Sequence, residues 1–423
     1  LSQLNLSTSG VGNAGEVLKV FYLGPLREQL NTATVLLSKL DREEGTQDVY
    51  GKSFTVPLHV GRNLSAGIGR AEDGTLPTAG AQSYKTAVVP NKYVYGRIQL
   101  TGQVIKATKN SAGSFIKAID SEVKGLTRDM KKAINRQLHS DGTDALGFWT
   151  AADNTSGTNI DDGQGNAFIH VQSGGTYDLI DATDNDTTIG DSIVVTVGAK
   201  GSTDYAITWT GTVTGSADGD YLVPEDSLGY QMMGIAGIID GNRASADPVV
   251  PAGGGTKTGL HGLAYGTYDY WNAQVFHNSG TKRAMSLELL QDPLSEIHVQ
   301  SDFSESDVKF LLSNVWMRDK YVALCQSMRR IVNEMELDGG FSGVEFNGKP
   351  WVIDSQCKRN RVYYIVPETM KIFRNADFDW MDMDGAVLSR VANKDAYEAV
   401  LYHYGDLACV TRNANGLLDD IID

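Results

Sequence analysis

The strongest constraint on the fold comes from residues 111–141, SAGSFIKAIDSEVKGLTRDMKKAINRQLHSD, where Phe115, Ile119, Val123, Leu126, Met130, Ile134 and Leu138 recur at steps of three and four. This spacing puts all seven on one face of an α-helix. Ser114 is placed to cap its start and Gly142 to stop it. At 1.5 Å per residue the span from Ser114 to Leu138 is about 38 Å. The other face carries Lys117, Asp120, Lys124, Arg128, Asp129, Lys131 and Arg136. A helix apolar on one side must lie along a sheet or a subunit surface. A basic nucleic-acid helix is the sharper alternative, but the interspersed acids favour a solvated face.

Before this helix, two strand-like runs, KSFTVPLHV and KYVYGRIQLTGQVIKA, flank a Gly- and Ala-rich middle, GRNLSAGIGRAEDGTLPTAGAQSYK. The second run alternates, with Val94, Ile98, Leu100 and Val104 on one face and Tyr93, Tyr95, Arg97 and Gln99 on the other. The pattern predicts a long hairpin whose tip, residues 61–85, cannot pack on itself and needs a partner. Residues 15–40 read as a broken amphipathic segment, with Val17, Leu18, Phe21 and Tyr22 before Pro25, and Leu26, Leu30, Leu36, Leu37 and Leu40 after it. Sequence alone leaves open whether this segment packs on its own domain or on a neighbour.

Charge divides the chain. Between Asp144 and Asp247 there are sixteen acids against two bases, Lys200 and Arg243, which is nearly all of the net -15. This segment combines Gly, Asp and Thr with short β runs, AFIHV, DSIVVTVG and DYAITWTGTVTG, and reads as a separate β-rich insertion. The near-neutral remainder argues against a protein that grips nucleic-acid phosphates tightly. From Gln231 onward the pattern is mixed: MMGIAGIID, a helical stretch in SESDVKFLLSNVWMRDKYVALCQSMRR, β runs in KPWVIDSQ, RVYYIV and KIFR, and a final strand pair in DAYEAVLYHYGDLACVTRNANGLLDDI. No membrane span and no secretory signal is evident. Cys325, Cys357 and Cys409 lie far apart without zinc-ligand spacing and are expected to be buried, reduced thiols.

Motifs for chemistry fail on inspection. GTQDVYGKS places five residues between Gly45 and Gly51, with Lys52 and Ser53 following, where a phosphate loop needs four, and a strand follows it. Gly10, Gly12 and Gly15 satisfy GxGxxG only in a Ser/Gly/Asn tail without a preceding strand. Asp184, Asp186 and Gly190 partly echo a calcium loop, but Val195 stands where its bidentate acid belongs. Asp377, Asp379, Asp382 and Asp384 lack the regular alternation. His59, His139, His170, His261, His277, His298 and His403 never fall at metal-binding spacing, and no Ser or Cys sits in a nucleophile elbow. No catalytic residue, cofactor or metal is expected.

The order of these elements carries a resemblance. The hairpin VPLHVGRNLSAG through TAVVPNKYVYGRIQLTG, the helix and turn IKAIDSEVKGLTRDMKKAINRQLHSDGTDALG, the return MMGIAGIID, and the late strings FNGKPWVIDSQCKRNRVYYIVPETMKIF and DAYEAVLYHYGDLACVTRNANGLL resemble the tailed-bacteriophage major capsid protein family. The resemblance implies an α+β, Hong Kong 97-type capsid fold. Its parts would be an N-terminal arm (1–50), an extended hairpin loop (51–107), the spine helix of a peripheral domain (108–143), the acidic β-rich insertion (144–235), a mostly axial domain (236–375) and return strands of the peripheral domain (376–423). It implies hexamers and pentamers in an icosahedral shell around double-stranded DNA, assembled in the host cytoplasm with portal and scaffolding proteins, a cement protein as an optional helper, and only loose contact with DNA. The start at Leu1 is compatible with the pro-segment cleavage seen in some members. Some members also form a covalent Lys–Asn bond, and Lys85 or Lys92 lies in the relevant region. No partner asparagine or acid can be aligned, so association is expected to be non-covalent. The rivals are a secreted or surface-layer β-rich adhesin and a hydrolase with its site at the edge of the insertion.

Overall fold

The computed structural model describes residues 34–44, 49–50, 53–103, 112–142, 145–149, 158–161, 171–181, 187–200, 205–211, 213, 215, 220–239, 259–264, 269–278, 280–327, 334–337, 341–382 and 388–422. Its axis is the strand Ala396–Cys409. On one side this strand pairs antiparallel with Lys92–Thr101 over ten positions, from Ala396 opposite Thr101 to Gly405 opposite Lys92. On the other it pairs with Met370–Trp380, which in turn takes Asp41–Glu44 as a parallel neighbour. The period-two pattern of Lys92–Thr101 explains its seat: Ile98 and Leu100 are buried, while Tyr93 and Tyr95 face outward. The 26-residue helix Ala112–Gln137 packs on the inner face of this sheet. The approach is close, since a Cβ at Gly96 would stand 2.9 Å from Leu126 Cδ1. Met130, Ile134 and Leu138 are buried, as the helical spacing requires.

A second sheet of seven strands runs Gln274–Phe276, Gly416–Leu418, Val362–Ile365, Phe310–Ser313, Lys349–Ile353, Phe341–Phe346, Glu334–Leu337. The helices Leu287–Gln300 and Val315–Ser327 contribute Leu290, Leu294, Ile297 and Met317 to a core with Trp351 and Tyr364. A larger core runs between the two sheets, joining Leu36, Ile134, Ile238, Phe310, Leu312, Tyr363, Ile372 and Leu407. Arg412 braces that junction: its guanidinium is fully buried and donates to the carbonyls of Ile238, Ile239 and Trp271.

The acidic stretch holds a closed six-stranded barrel made of Gly147–Trp149, Thr158–Asp161, Thr176–Ile180, Thr188–Lys200, Tyr205–Thr210 and Tyr221–Pro224. Closure removes every free strand edge, which suits a small unit poor in large apolar residues. Leu179, Ile193, Val195, Ile207, Trp209 and Leu222 fill its interior. Its two connections to the body run side by side, with Ile235 N donating to Leu138 O at 2.8 Å and Met232 N to Gln137 Oε1 at 3.4 Å. Among the described residues no helix is long and apolar enough to cross a membrane.

Five expectations need correction. The hairpin is closed by Ser83–Pro90, paired with Ser53–Gly61 from Ser53 opposite Pro90 to Gly61 opposite Ser83, and not by the run from Lys92. Asn91 interrupts the two strands, so Lys92–Thr101 is free to join the other sheet. Residues 34–44 are not a detached arm: Leu36, Leu37 and Leu40 are buried in their own subunit because the helix Val35–Lys39 docks on the long helix. The rest of the expected arm, residues 1–33, lies outside the described residues. The long helix begins at Ala112, so Ser114 sits inside it and does not cap it. The stretch around 304–327 is a short 3-10 turn, a buried strand and then a helix, because consecutive burial of Phe310–Ser313 suits a strand covered on both faces. The last two strands do not pair with each other: Ala396–Cys409 and Gly416–Leu418 lie in different sheets. The helix Leu287–Gln300 was unforeseen, since Pro293 in its middle reads as a breaker.

Candidate functional site

The hairpin Ser53–Gly61 and Ser83–Pro90 presents residues 62–82, the most exposed described segment of the chain. Its root is fixed. Phe54 and Val89 pack with Ala408 and Phe373, Leu58, Val60 and Ala87 enter the main core, and Val88 N donates to His261 O at 2.9 Å. At the root's outer end the His59 and Tyr84 rings meet at a tilt, with centroids 5.1 Å apart.

A polar staple then closes the loop. Asn63 Oδ1 accepts from Ser65 N at 2.9 Å and Ser65 Oγ at 2.7 Å, Asn63 Nδ2 donates to Gly80 O at 3.0 Å, and Gly80 N donates to Ser65 Oγ at 3.2 Å. A Cβ at position 80 would lie 2.3 Å from Asn63 Oδ1, so any larger residue there would displace the Asn63 side chain from the staple. Beyond the staple the side chains are unburied: Leu64 is 88% exposed, Leu76 83% and Ile68 45%. A loop held at its base and apolar at its tip presents a preformed contact surface, which costs less ordering entropy on association than a free one.

Elsewhere the buried polar chemistry is structural. Asp354 Oδ2 accepts from Leu36 N at 3.2 Å and Asn135 Nδ2 at 3.0 Å, and lies 3.1 Å from His139 Nε2; its Oδ1 accepts from Gln356 N at 3.0 Å. Burial alone would raise this carboxyl, but the neighbouring His139 and the bonds from His139, Asn135 and Gln356 outweigh it and hold it at about 2. Leu37 N donates to Asn135 Oδ1, so the same cluster ties residues 36 and 37 to the end of the long helix. Sequence reasoning missed this cluster because Asp354 lies 318 residues from Leu36 and 219 from Asn135, and these residues form no local motif. The buried pair Arg361–Asp419, at 2.9 Å, was invisible for the same reason.

No family sequence model matches the chain, and no curated protein sequence does. Solved structures do. A chain of the cyanophage A-1(L) capsid asymmetric unit matches with a TM-score of 0.58 at 12% identity, covering 96% of this chain and 98% of that one. This chain has a phage capsid fold. Looser matches include the holo-SrpI encapsulin complex of Synechococcus elongatus PCC 7942 (TM-score 0.47, 9% identity, 98% and 96% coverage) and the capsid of Myoviridae phage XM1 (TM-score 0.45, 8% identity, 97% and 99% coverage).

Within this capsid fold the residues weighed for chemistry lie apart. Ser53 opens a strand, while Gly10, Gly12, Gly15, Gly45, Gly51 and Lys52 lie outside the described residues, as do Asp184, Asp186, His170 and Asp384. Val195, at the position a calcium loop would give to an acid, is buried in the barrel interior. Asp377 pairs with Arg374 and lies 3.8 Å from His403 Nδ1, Asp379 accepts from Trp380 N, and Asp382 is exposed. His261 is buried, and burial followed by the Arg412 charge pushes it down to about 4; His403 stacks on Phe378, and His277 and His298 are exposed. Cys325, Cys357 and Cys409 are buried free thiols. Lys85 lies exposed on the return strand of the hairpin, and Lys92 Nζ donates to Gly229 O at 2.6 Å. Among the described residues no group of three or more His, Cys, Asp or Glu converges as a metal site would.

Proposed function

We propose that the chain is the major capsid protein of a tailed bacteriophage, forming hexamers and pentamers of an icosahedral shell that encloses double-stranded DNA. The observation that carries this reading is the loop at 62–82, anchored at its base and apolar where it is unburied, in a chain of which 96% is covered by the match to a phage capsid fold. In this reading the loop overlies a neighbouring subunit, which buries Leu64, Ile68 and Leu76. The helix within 108–143 serves as the spine of a peripheral domain, completed by return strands in 376–423. Residues 236–375 form most of the axial domain, and the barrel within 144–235 projects from the outer surface, where its charge stays away from DNA. The subunit acts by association and not by catalysis, without a cofactor or a covalent cross-link. Assembly takes place in the host cytoplasm with portal and scaffolding proteins.

Negative-stain microscopy and sedimentation of the expressed chain test the reading. Shells, hexamers or pentamers are expected, and a persistent monomer that binds sugars or cells would favour an adhesin instead. Deleting residues 64–82 should leave a folded subunit that no longer forms closed shells; unchanged assembly would remove the loop from the interface.

A further inference from the structure

The chain holds two Asn–Gly pairs, and the fold places them in opposite surroundings. Asn415 is fully buried, its Nδ2 donating to Thr369 Oγ1 at 2.8 Å and Thr411 O at 3.2 Å, and its Oδ1 accepting from Val366 N at 3.0 Å. A Cβ at Gly416 would stand 3.2 Å from Ile297 Cδ1, so that peptide is packed against the core. Asn347 and Gly348 are instead exposed turn residues between Phe341–Phe346 and Lys349–Ile353, where Phe346 pairs with Lys349. Both are left-handed, with φ of 49° and 72°, as a tight two-residue hairpin turn requires. A Cβ at Gly348 would meet nothing within 4 Å. Asn347 Nδ2 donates to Glu305 Oε2 at 3.1 Å and Gln291 Oε1 at 3.4 Å, and Lys349 Nζ donates to Asn347 O at 3.4 Å. The amide thus ties this turn to the helix Leu287–Gln300 and to the 3-10 turn Glu305–Asp307.

We propose that Asn347–Gly348 is a modification site at which the subunit, without an enzyme, turns an amide into a carboxylate and so releases this hairpin from Gln291 and Glu305. The Gly348 nitrogen attacks Asn347 Cγ and closes a succinimide ring. The Cγ–Nδ2 bond breaks, and the proton lost from the Gly348 N–H leaves with Nδ2 as ammonia. Water then opens the ring to aspartate or, by attack at the other carbonyl, to isoaspartate. No oxidant or reductant takes part. Ring closure is favoured here because glycine has no side chain to obstruct it. The turn is also exposed at a hairpin end, where local opening costs least. Lys349 Nζ donates to the carbonyl of the very peptide whose N–H must be lost, which favours loss of that proton. The bonds from Nδ2 to Glu305 and Gln291 break in the process, which makes the step slow beside folding. In the product a carboxylate faces Glu305 where an N–H donor stood, and like charges at that distance repel.

The test incubates the full-length subunit in warm, mildly alkaline buffer and follows the peptides holding Asn347 and Asn415 by mass spectrometry. The Asn347 peptide is expected to gain the mass difference between an amide and an acid at least about tenfold faster than the Asn415 peptide, which must open from the core first. In denaturing urea the two rates should come within about threefold, since both pairs are then solvated alike. Asn347→Gln, whose longer arm closes a ring far less readily, should abolish the gain at that peptide. Hydrogen exchange across residues 341–353 should quicken both in the aged subunit and in a freshly made Asn347→Asp variant. A folded-state rate ratio no larger than the ratio in urea overturns the proposal. Mass gain at Asn347 without faster exchange also overturns it, because the tie to Gln291 and Glu305 would then have survived.

Discussion

Asp406 is a fully buried carboxyl on the central strand, and its Oδ1 accepts from Met233 N at 2.7 Å and Leu407 N at 2.9 Å. Met233 belongs to the connection that returns from the barrel, so this carboxyl holds the barrel's neck to the body. Burial pushes it from an ordinary 3.8 up to about 7, although the two N–H donors and the Lys92 charge pull the other way. Between those two values the folded chain binds more protons at this site than the unfolded chain does. Its contribution to stability is therefore complete near pH 4 and declines as pH rises towards 7. At 1.36 kcal/mol per pKa unit the loss reaches roughly 4 kcal/mol above pH 8, as an upper figure. Asp406→Asn keeps an oxygen for both donors and never ionises. The variant should match the parent within about 1 kcal/mol near pH 4 and exceed it by a few kcal/mol near pH 8. Urea unfolding of the unassembled subunit at several pH values, followed by tryptophan fluorescence, measures the difference. A gap that stays constant with pH, or a variant less stable at pH 8, would refute the reasoning.

Leu64→Asp together with Leu76→Asp should leave subunit stability within about 0.5 kcal/mol, since both side chains are exposed, while abolishing shells in sedimentation. Asp419→Asn breaks the buried pair with Arg361 and should cost about 3–5 kcal/mol in chemical denaturation, whereas Arg361→Met with Asp419→Leu should recover most of that loss. Asp354, held at about 2, contributes stability that is complete above its ordinary 3.8 and is lost as pH falls through about 2. Asp354→Asn should therefore remove about 2 kcal/mol at neutral pH and show less acid sensitivity in thermal melts.

Local pattern made much of the architecture legible. The long helix follows from seven apolar residues at helical spacing, and the barrel strand containing DSIVVTVG from its alternation, which sends Ile193 and Val195 inward. The exposed loop could be anticipated because residues 61–82 offer few large apolar side chains to pack on themselves. What failed were choices among partners. Ser83–Pro90 and Lys92–Thr101 both follow the loop as extended runs, and local pattern does not say which of them pairs with Ser53–Gly61. The Asp354 cluster and the Arg361–Asp419 pair left no local trace.

The sequence by itself determined the long helix and many of the extended runs, where the negative charge lies and which loop is left unburied, because these depend on neighbours within about ten residues. Only the tertiary structure decided which strands share a sheet, that the acidic stretch closes into a barrel, and that residues 34–44 belong to the body. The physical reason is that these outcomes turn on burial between surfaces distant in the chain. There a pairing succeeds only if both faces and every buried polar group are satisfied together.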